Sequence, residues 1–285
     1  MDSVFLNTEN KLSANGIYGV NFYTLGVPHT VIIDDYVPVD KGSNGTYTSY
    51  TTKPGSDGAI WGIILEKAFA KYHGNYFHTE AGWAARAVNS LYGAPNNEYW
   101  HNEVAADKVW KKLVAADKRG DIITTGTYEA AGKNANNWRN AIGLCMGHAY
   151  TVLTAFDLKD KAGKSIKLVR VRDPLGNDKF ATYTGEYKTG SKKWTADLKK
   201  QTGETFEDDG EYIISFAEYY KYMDSTIINY DTSKMSRAHF LILNDTNKVK
   251  MEDSTDCSVA ACSYHKFFIK SATTQKVYLT TATWR

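Results

Sequence analysis

Cysteine is scarce in this 285-residue chain: there are three, Cys145, Cys257 and Cys262, an odd count with no framework spacing and no C-x-x-C pair. That argues against a disulfide scaffold and against a cysteine-based zinc or redox centre, and a reducing cytoplasm suits it best. A dominant charge is missing too, since 34 Lys and Arg against 32 Asp and Glu leave a formal net charge of +2. Nucleic-acid and acidic-lipid partners need a concentrated basic face, so no nucleic acid is expected, and small-molecule, peptide or protein partners stay open. No run approaches the roughly 18 apolar residues of a membrane span. The opening stretch MDSVFLNTENKLSANG has neither the basic nor the apolar part of a secretory signal. The expectation is a cytoplasmic, soluble protein with no membrane span.

What is present is ordinary hydrophobic content, 42%, enough for a sizeable core, together with 20 Tyr and 7 Trp. Such aromatics suit half-buried strands and sites that grip extended peptides. Residues 19–39 (GVNFYTLGVPHTVIIDDYVPV) predict a strand, a break at Gly26-Val27-Pro28 and a second strand. Over Trp61 to Tyr72, Ile64, Ala68, Phe69 and Tyr72 recur at helical spacing among Glu66, Lys67 and Lys71, with Gly74 as the stop. Further helices are predicted from Trp83 to Leu91 and from Glu103 to Lys118, the latter ending at Arg119-Gly120. The pattern then turns to strands in GHAYTVLTAFDL, SIKLVRVRDPLGN and DGEYIISFAEYY. Sheet, helices and sheet in that order argue for an α+β fold. Towards the end KMEDSTDCSVAAC reads as a loop, and HKFFIKSA and QKVYLTTATWR as two strands of an incomplete sheet.

Two positions could carry chemistry. His148 stands among small residues in Gly143-Leu-Cys-Met-Gly-His-Ala-Tyr150, at the start of a β-rich run where a substrate backbone has room to approach an imidazole. Asp173 follows a strand of alternating Val and Arg and precedes Pro174, placed either to orient an imidazole through its second ring nitrogen or simply to cap the turn. Cys145 is a poor nucleophile for His148. Three residues of extended chain, at ~3.3 Å each, separate them by roughly 10 Å with side chains on opposite faces, and reaction needs about 3 Å.

These segments follow one another in a familiar order: GHAY, then RVRDPLG, then TGEYKTGSKKW, then DGEYIISFAEYY. The series resembles the calpain family, whose members typically show L-x-x-G-H-A-Y-S-V, R-x-R-N-P-W-G, T-G-x-W-S-D-x-S-x-x-W and D-G-E-F-W-M-S-F-x-D-F. Thr184-Gly185, Tyr187, Ser191 and Trp194 keep the third motif's spacing. Upstream, the strand pair ending at Val39 and WGIILEKAFAKYHGNY are similar to the family's V-V-V-D-D-x-L-P strands and W-x-x-L-L-E-K-A-Y-A-K-L-x-G-x-Y helix. The likeness covers about residues 16–230, and HKFFIKSATTQKVYLTTATW is similar to the opening of the family's C2-like β-sandwich.

The resemblance implies a papain-like core of antiparallel sheets with flanking helices, its two lobes supplying cysteine on one side and histidine with asparagine on the other. Residues 1–230 would be the histidine lobe, 231–263 a linker, and 264–285 the first strands of the sandwich. His148 would be the general base, and Asp173 would stand where the family has asparagine. The family's glutamine and G-x-C-W segment has no counterpart here, which puts the nucleophile on a preceding first lobe. Leu175 replaces a shielding tryptophan. Calcium is the family's activator, but its acidic segment aligns with residues 85–94, where the three carboxylates become Arg86, Asn89 and Ser90. Calcium wants several hard oxygen ligands with net negative charge, so no cofactor is expected from this segment. The adjacent Asp34 and Asp35 read as turn and solvent contacts.

Three functions are then distinguishable: the core of a cysteine endopeptidase acting on protein or peptide substrates, inactive without its partner lobe; a degenerate lobe serving as a scaffold; and an unrelated α+β binding domain. The last requires His148 and Asp173 to lie out of hydrogen-bond reach.

Overall fold

The computed structural model describes residues 4–7, 11–24, 27–49, 52–129, 138–160, 162–176 and 182–231, with the backbone of 248–249 and 262–263. Two units separate along the chain, Met1–Met235 and Ser236–Arg285.

The first unit opens with β1 (Ile17–Thr24) and β2 (Val27–Asp34), an antiparallel pair in which Tyr23 faces Pro28 and Val20 faces Val31. Gly26 lies outside the described residues, and Val27 and Pro28 already belong to β2. Alternation decides which face is buried: Tyr18, Val20, Phe22, Val31 and Ile33 point inward. They meet Ile64 and Ala68 of α1 (Trp61–Tyr72), and Phe22 stacks on Tyr72 with ring centres 4.7 Å apart. The free edge of β2 is covered by lysines of α1. Lys71 donates to Ile32 O at 2.8 Å, and Lys67 donates to Asp34 O and to the Asp34 carboxylate. Asp34 also accepts from Tyr36 N, so it serves a turn and a surface contact. A short ladder, β3 (Val39–Lys41) with β4 (Tyr47–Ser49), follows β2.

After α2 (Ala84–Tyr92) comes the main sheet. Its strands are β5 (Asn96–Trp100), β6 (Ile122–Gly126), β7 (Ala149–Lys159), β8 (Ser165–Arg172), β9 (Glu211–Ser215) and β10 (Ser225–Asn229), in the antiparallel order β5-β10-β6-β7-β8-β9. Between β5 and β6, α3 (Ala106–Arg119) buries Val109, Trp110, Leu113 and Ala116 and stops at Gly120. Trp110 packs on Phe216 of α5 (Phe216–Tyr222), 4.7 Å between ring centres. A satellite cluster of Leu168, Ile213 and Leu198 seats α4 (Ala196–Thr202) beside β8 and β9.

One expectation is corrected. DGEYIISFAEYY is a strand only as far as Ser215, after which the chain turns into α5. The cause is a capping box: the Ser215 hydroxyl accepts from Glu218 N while the Glu218 carboxylate accepts from Ser215 N.

Antiparallel pairing of β7 with β8 sets Thr151 opposite Arg172. The residues just outside that register, His148 and Asp173, therefore emerge side by side at one end of the sheet. In the second unit the described backbone is a two-residue ladder, β11 (Lys248–Val249) with β12 (Cys262–Ser263). It falls within the stretch expected as a linker, whereas the strands expected over 264–285 lie outside the described residues. Among the described residues no helix is long and apolar enough to cross a membrane.

Candidate active site

The loop that delivers His148 is shaped by two glycines. Gly143 has φ +85°, and a Cβ there would sit 2.1 Å from Thr182 O; Gly147 has φ +59°. Both need the left-handed region that glycine enters without a side-chain clash. The turn before Leu144 is closed by Asn140, whose Oδ1 accepts from Ile142 N and Leu144 N. Thr184 N donates to Ile142 O, fastening the TGEYKTG segment to the same loop.

His148 and Asp173 are joined directly, Nε2 to Oδ1 at 2.9 Å. A carboxylate only accepts, so Nε2 carries the hydrogen, and in the neutral ring Nδ1 presents its lone pair. The imidazole is 26% exposed and the Asp173 side chain is fully buried. The His148 ring stands edge-on to Tyr150, 5.0 Å away at 89°. Asp173 also caps its turn: the same Oδ1 accepts from Leu175 N at 2.9 Å, and Gly176 N closes the proline turn onto Asp173 O. Its other oxygen, Oδ2, is buried without a hydrogen-bond partner. The sheet side of the turn is tied by Asp173 N to Gly210 O.

Cys145 is buried, and burial pushes its thiol pKa up, with the charge of Asp173 adding to the effect. A nucleophilic thiol needs the opposite shift. Its carbonyl takes the Thr127 hydroxyl at 2.7 Å. Cys257 lies outside the described residues.

Around the pair, Leu175 is 45% exposed. Trp194 is held by Nε1 to Tyr187 O and packs on Tyr187 and Phe206. The segment aligned with the acidic calcium loop is helical here, in α2. Asn89 Nδ2 donates to Ala94 O, and the Ser90 hydroxyl donates to Ala87 O. Sequence reasoning missed Thr127, which bonds the main chain of His148, because a lone threonine beyond a strand carries no pattern of its own.

At one end of its sheet this mixed α+β domain presents an imidazole hydrogen-bonded to a buried carboxylate, an arrangement that nucleophilic hydrolases also use. Comparison with known proteins makes this specific. A family model described as calpain family cysteine protease matches residues 1–229. Calpain-9 of Mus musculus is 31% identical over 218 residues, covering 75% of this chain and 30% of that protein. Calpain-A of Drosophila melanogaster is 29% identical over 216 residues, 73% of this chain and 25% of that protein. The calpain-type cysteine protease DEK1 of Zea mays is 28% identical over 190 residues, 65% of this chain and 8% of that protein. The chain belongs to the calpain family of cysteine proteases, and it spans 30% or less of the length of these relatives.

Proposed function

We propose that this chain is the base-bearing part of a calpain-type cysteine endopeptidase that hydrolyses peptide bonds in protein or peptide substrates in the cytoplasm. One observation carries the reading: His148 Nε2 donates to buried Asp173, which leaves Nδ1 as the basic nitrogen of a partly exposed ring. In the reaction Nδ1 takes the proton of a cysteine thiol, and the thiolate attacks the scissile carbonyl. The imidazolium then gives that proton to the leaving amine, and water, deprotonated by Nδ1, releases the acyl group. Asp173 keeps the ring in the correct tautomer and stabilises the imidazolium.

In this reading the nucleophile is supplied by another segment of the parent protein, and the chain alone is expected to be inactive. The residues aligned with the family's calcium segment do not fit the ion. Arg86 is a cation, and Asn89 and Ser90 are neutral where the family pattern has carboxylates, so the segment lacks the net negative charge that calcium needs. No step is routed through calcium.

The test is cleavage of an unfolded protein by the full-length parent. His148→Ala should lower kcat by roughly 10⁴-fold or more, and an unchanged rate overturns the assignment of the base. The second reading, a degenerate lobe kept as a protein-binding scaffold, is favoured by exposed Leu175 in place of the shielding tryptophan. A Q-x-x-x-G-D-C-W-like segment in the parent supports the enzyme. A parent that lacks it and cleaves nothing supports the scaffold.

A further inference from the structure

Asp173 fixes the tip of the imidazole, but a ring is aimed from both ends. The other end of His148 is its main chain, and there Thr127 makes the contacts. Thr127 is buried immediately after β6, a strand paired with β10 on one side and β7 on the other. Its N–H donates to His148 O at 3.0 Å, and its Oγ1 accepts from His148 N at 3.1 Å. The hydroxyl proton goes to Cys145 O at 2.7 Å, with His148 O at 3.3 Å the longer alternative.

One side chain therefore spans the left-handed Gly147 turn, gripping the chain before it and after it. Thr127 is itself pinned from the far side by a β-bridge to Met223, which is fully buried. The anchor of the His148 Cα is thus the rigid middle of the sheet, although His148 sits in a loop.

We propose that Thr127 is a positioning residue that sets the direction of His148 Nδ1 through its hydroxyl. The inference rests on the reading of His148 as the general base. The hydroxyl accepts from His148 N and donates to Cys145 O at once, which a methyl group of the same shape cannot do. Valine keeps the branched shape but takes the acceptor from His148 N and leaves Cys145 O only the longer contact from the Tyr150 hydroxyl at 3.5 Å. The ring then pivots about its Asp173 contact, and a shift on the order of 1 Å costs about 10²-fold in rate.

Two measurements on this chain and one on its parent test the idea. In the wild-type chain the His148 amide should exchange with solvent far more slowly than an open loop amide. In Thr127→Val that amide should exchange at least ~10-fold faster. The ¹⁵N signals of the His148 imidazole should move from the Nε2–H tautomer towards a mixture, and Thr127→Ser should restore both readings. In the parent, Thr127→Val should lower kcat by about 10- to 100-fold with KM little changed, and Thr127→Ser should recover most of the loss. A wild-type His148 amide that exchanges like an open loop overturns the proposal even if the valine variant does not fold. So does a folded Thr127→Val chain with the wild-type imidazole spectrum. If His148→Ala leaves cleavage by the parent unchanged, the base assignment fails, while the amide and imidazole readings still decide whether Thr127 aims the ring.

Discussion

Residue 173 carries a carboxylate where the family pattern has an amide, and only one of its oxygens is used. Oδ1 serves both the imidazole and Leu175 N, while Oδ2 is buried without a partner. Asparagine can supply the Oδ1 contacts with a neutral group that costs less to bury than a carboxylate. Asp173→Asn in the parent should therefore keep kcat within about tenfold. Asp173→Ala, which frees the ring, should lower it by roughly 10²- to 10⁴-fold; equal rates for the two variants would show that the carboxyl oxygen does not hold the base. Cys145 offers a second check. Its raised thiol pKa predicts alkylation at neutral pH at least ~10-fold slower in the folded chain than in denaturant, read by peptide mapping so that Cys257 and Cys262 are scored apart. Faster labelling in the folded state would make Cys145 an activated thiol. The pairing of His148 with Asp173 is legible only through the motif order that resembles the calpain family, since spacing alone favours Asp173 as the cap of its turn. Thr127 was not, because its partners lie 18 and 21 residues away in a loop whose path the sequence leaves open.

At the scale of elements, legibility followed amphipathic period. The Trp61–Tyr72 helix shows three turns of i, i+4 and i, i+3 apolar spacing, and α1 has those bounds. Strand β10 escaped detection because all five of its residues are buried, which leaves no alternation to read. Helix α5 was misread because β-branched and aromatic residues run across Ser215 without a break in composition. The S-x-x-E signal of a capping box at Ser215-Phe-Ala-Glu218 was nonetheless in plain view. Ser215→Ala should cost about 1 kcal/mol in urea unfolding. Glu218→Ala should cost more, since Glu218 also accepts the Tyr183 hydroxyl at 2.6 Å and Glu186 N at 2.9 Å. The buried Tyr183 hydroxyl, left without its acceptor, adds about 1–3 kcal/mol, whereas the exposed Glu186 N can turn to water. If the two variants unfold at the same urea midpoint, Glu218 does no more than cap the helix.

A buried histidine that takes no part in the proposed chemistry ties distant parts of the chain together. His101 follows β5, the edge strand, and reaches across to the corner between α5 and β10. Its Nδ1 lies 2.8 Å from Met223 O, and its Nε2 lies 2.8 Å from Thr226 Oγ1, which Tyr219 OH also contacts. The carbonyl can only accept, so the neutral ring donates from Nδ1 and accepts at Nε2. Nothing in the local sequence HNEV signals this, since the partners are 122 and 125 residues away. Burial lowers the His101 pKa below its ordinary 6.5, against the opposing pull of the Met223 and Tyr220 carbonyls and the charge of Asp224. The unfolded chain therefore binds a proton that the folded chain refuses. Stability from this group is complete above the unfolded value of about 6.5 and is lost as pH falls below it towards the folded value, with a slope of at most about 1.4 kcal/mol per pH unit. Between pH 7.5 and 5.5 the urea midpoint should fall more in the wild-type chain than in His101→Gln, which has nothing to protonate at that position. Equal falls in the two proteins would assign the acid sensitivity elsewhere. Met223 is the point of contact with the proposed active site, because it accepts from His101 and bridges to Thr127. Protonating His101 should therefore loosen the His148 amide before the sheet unfolds, and hydrogen exchange at pH 6 against pH 7.5, corrected for the intrinsic rate, would read that order directly.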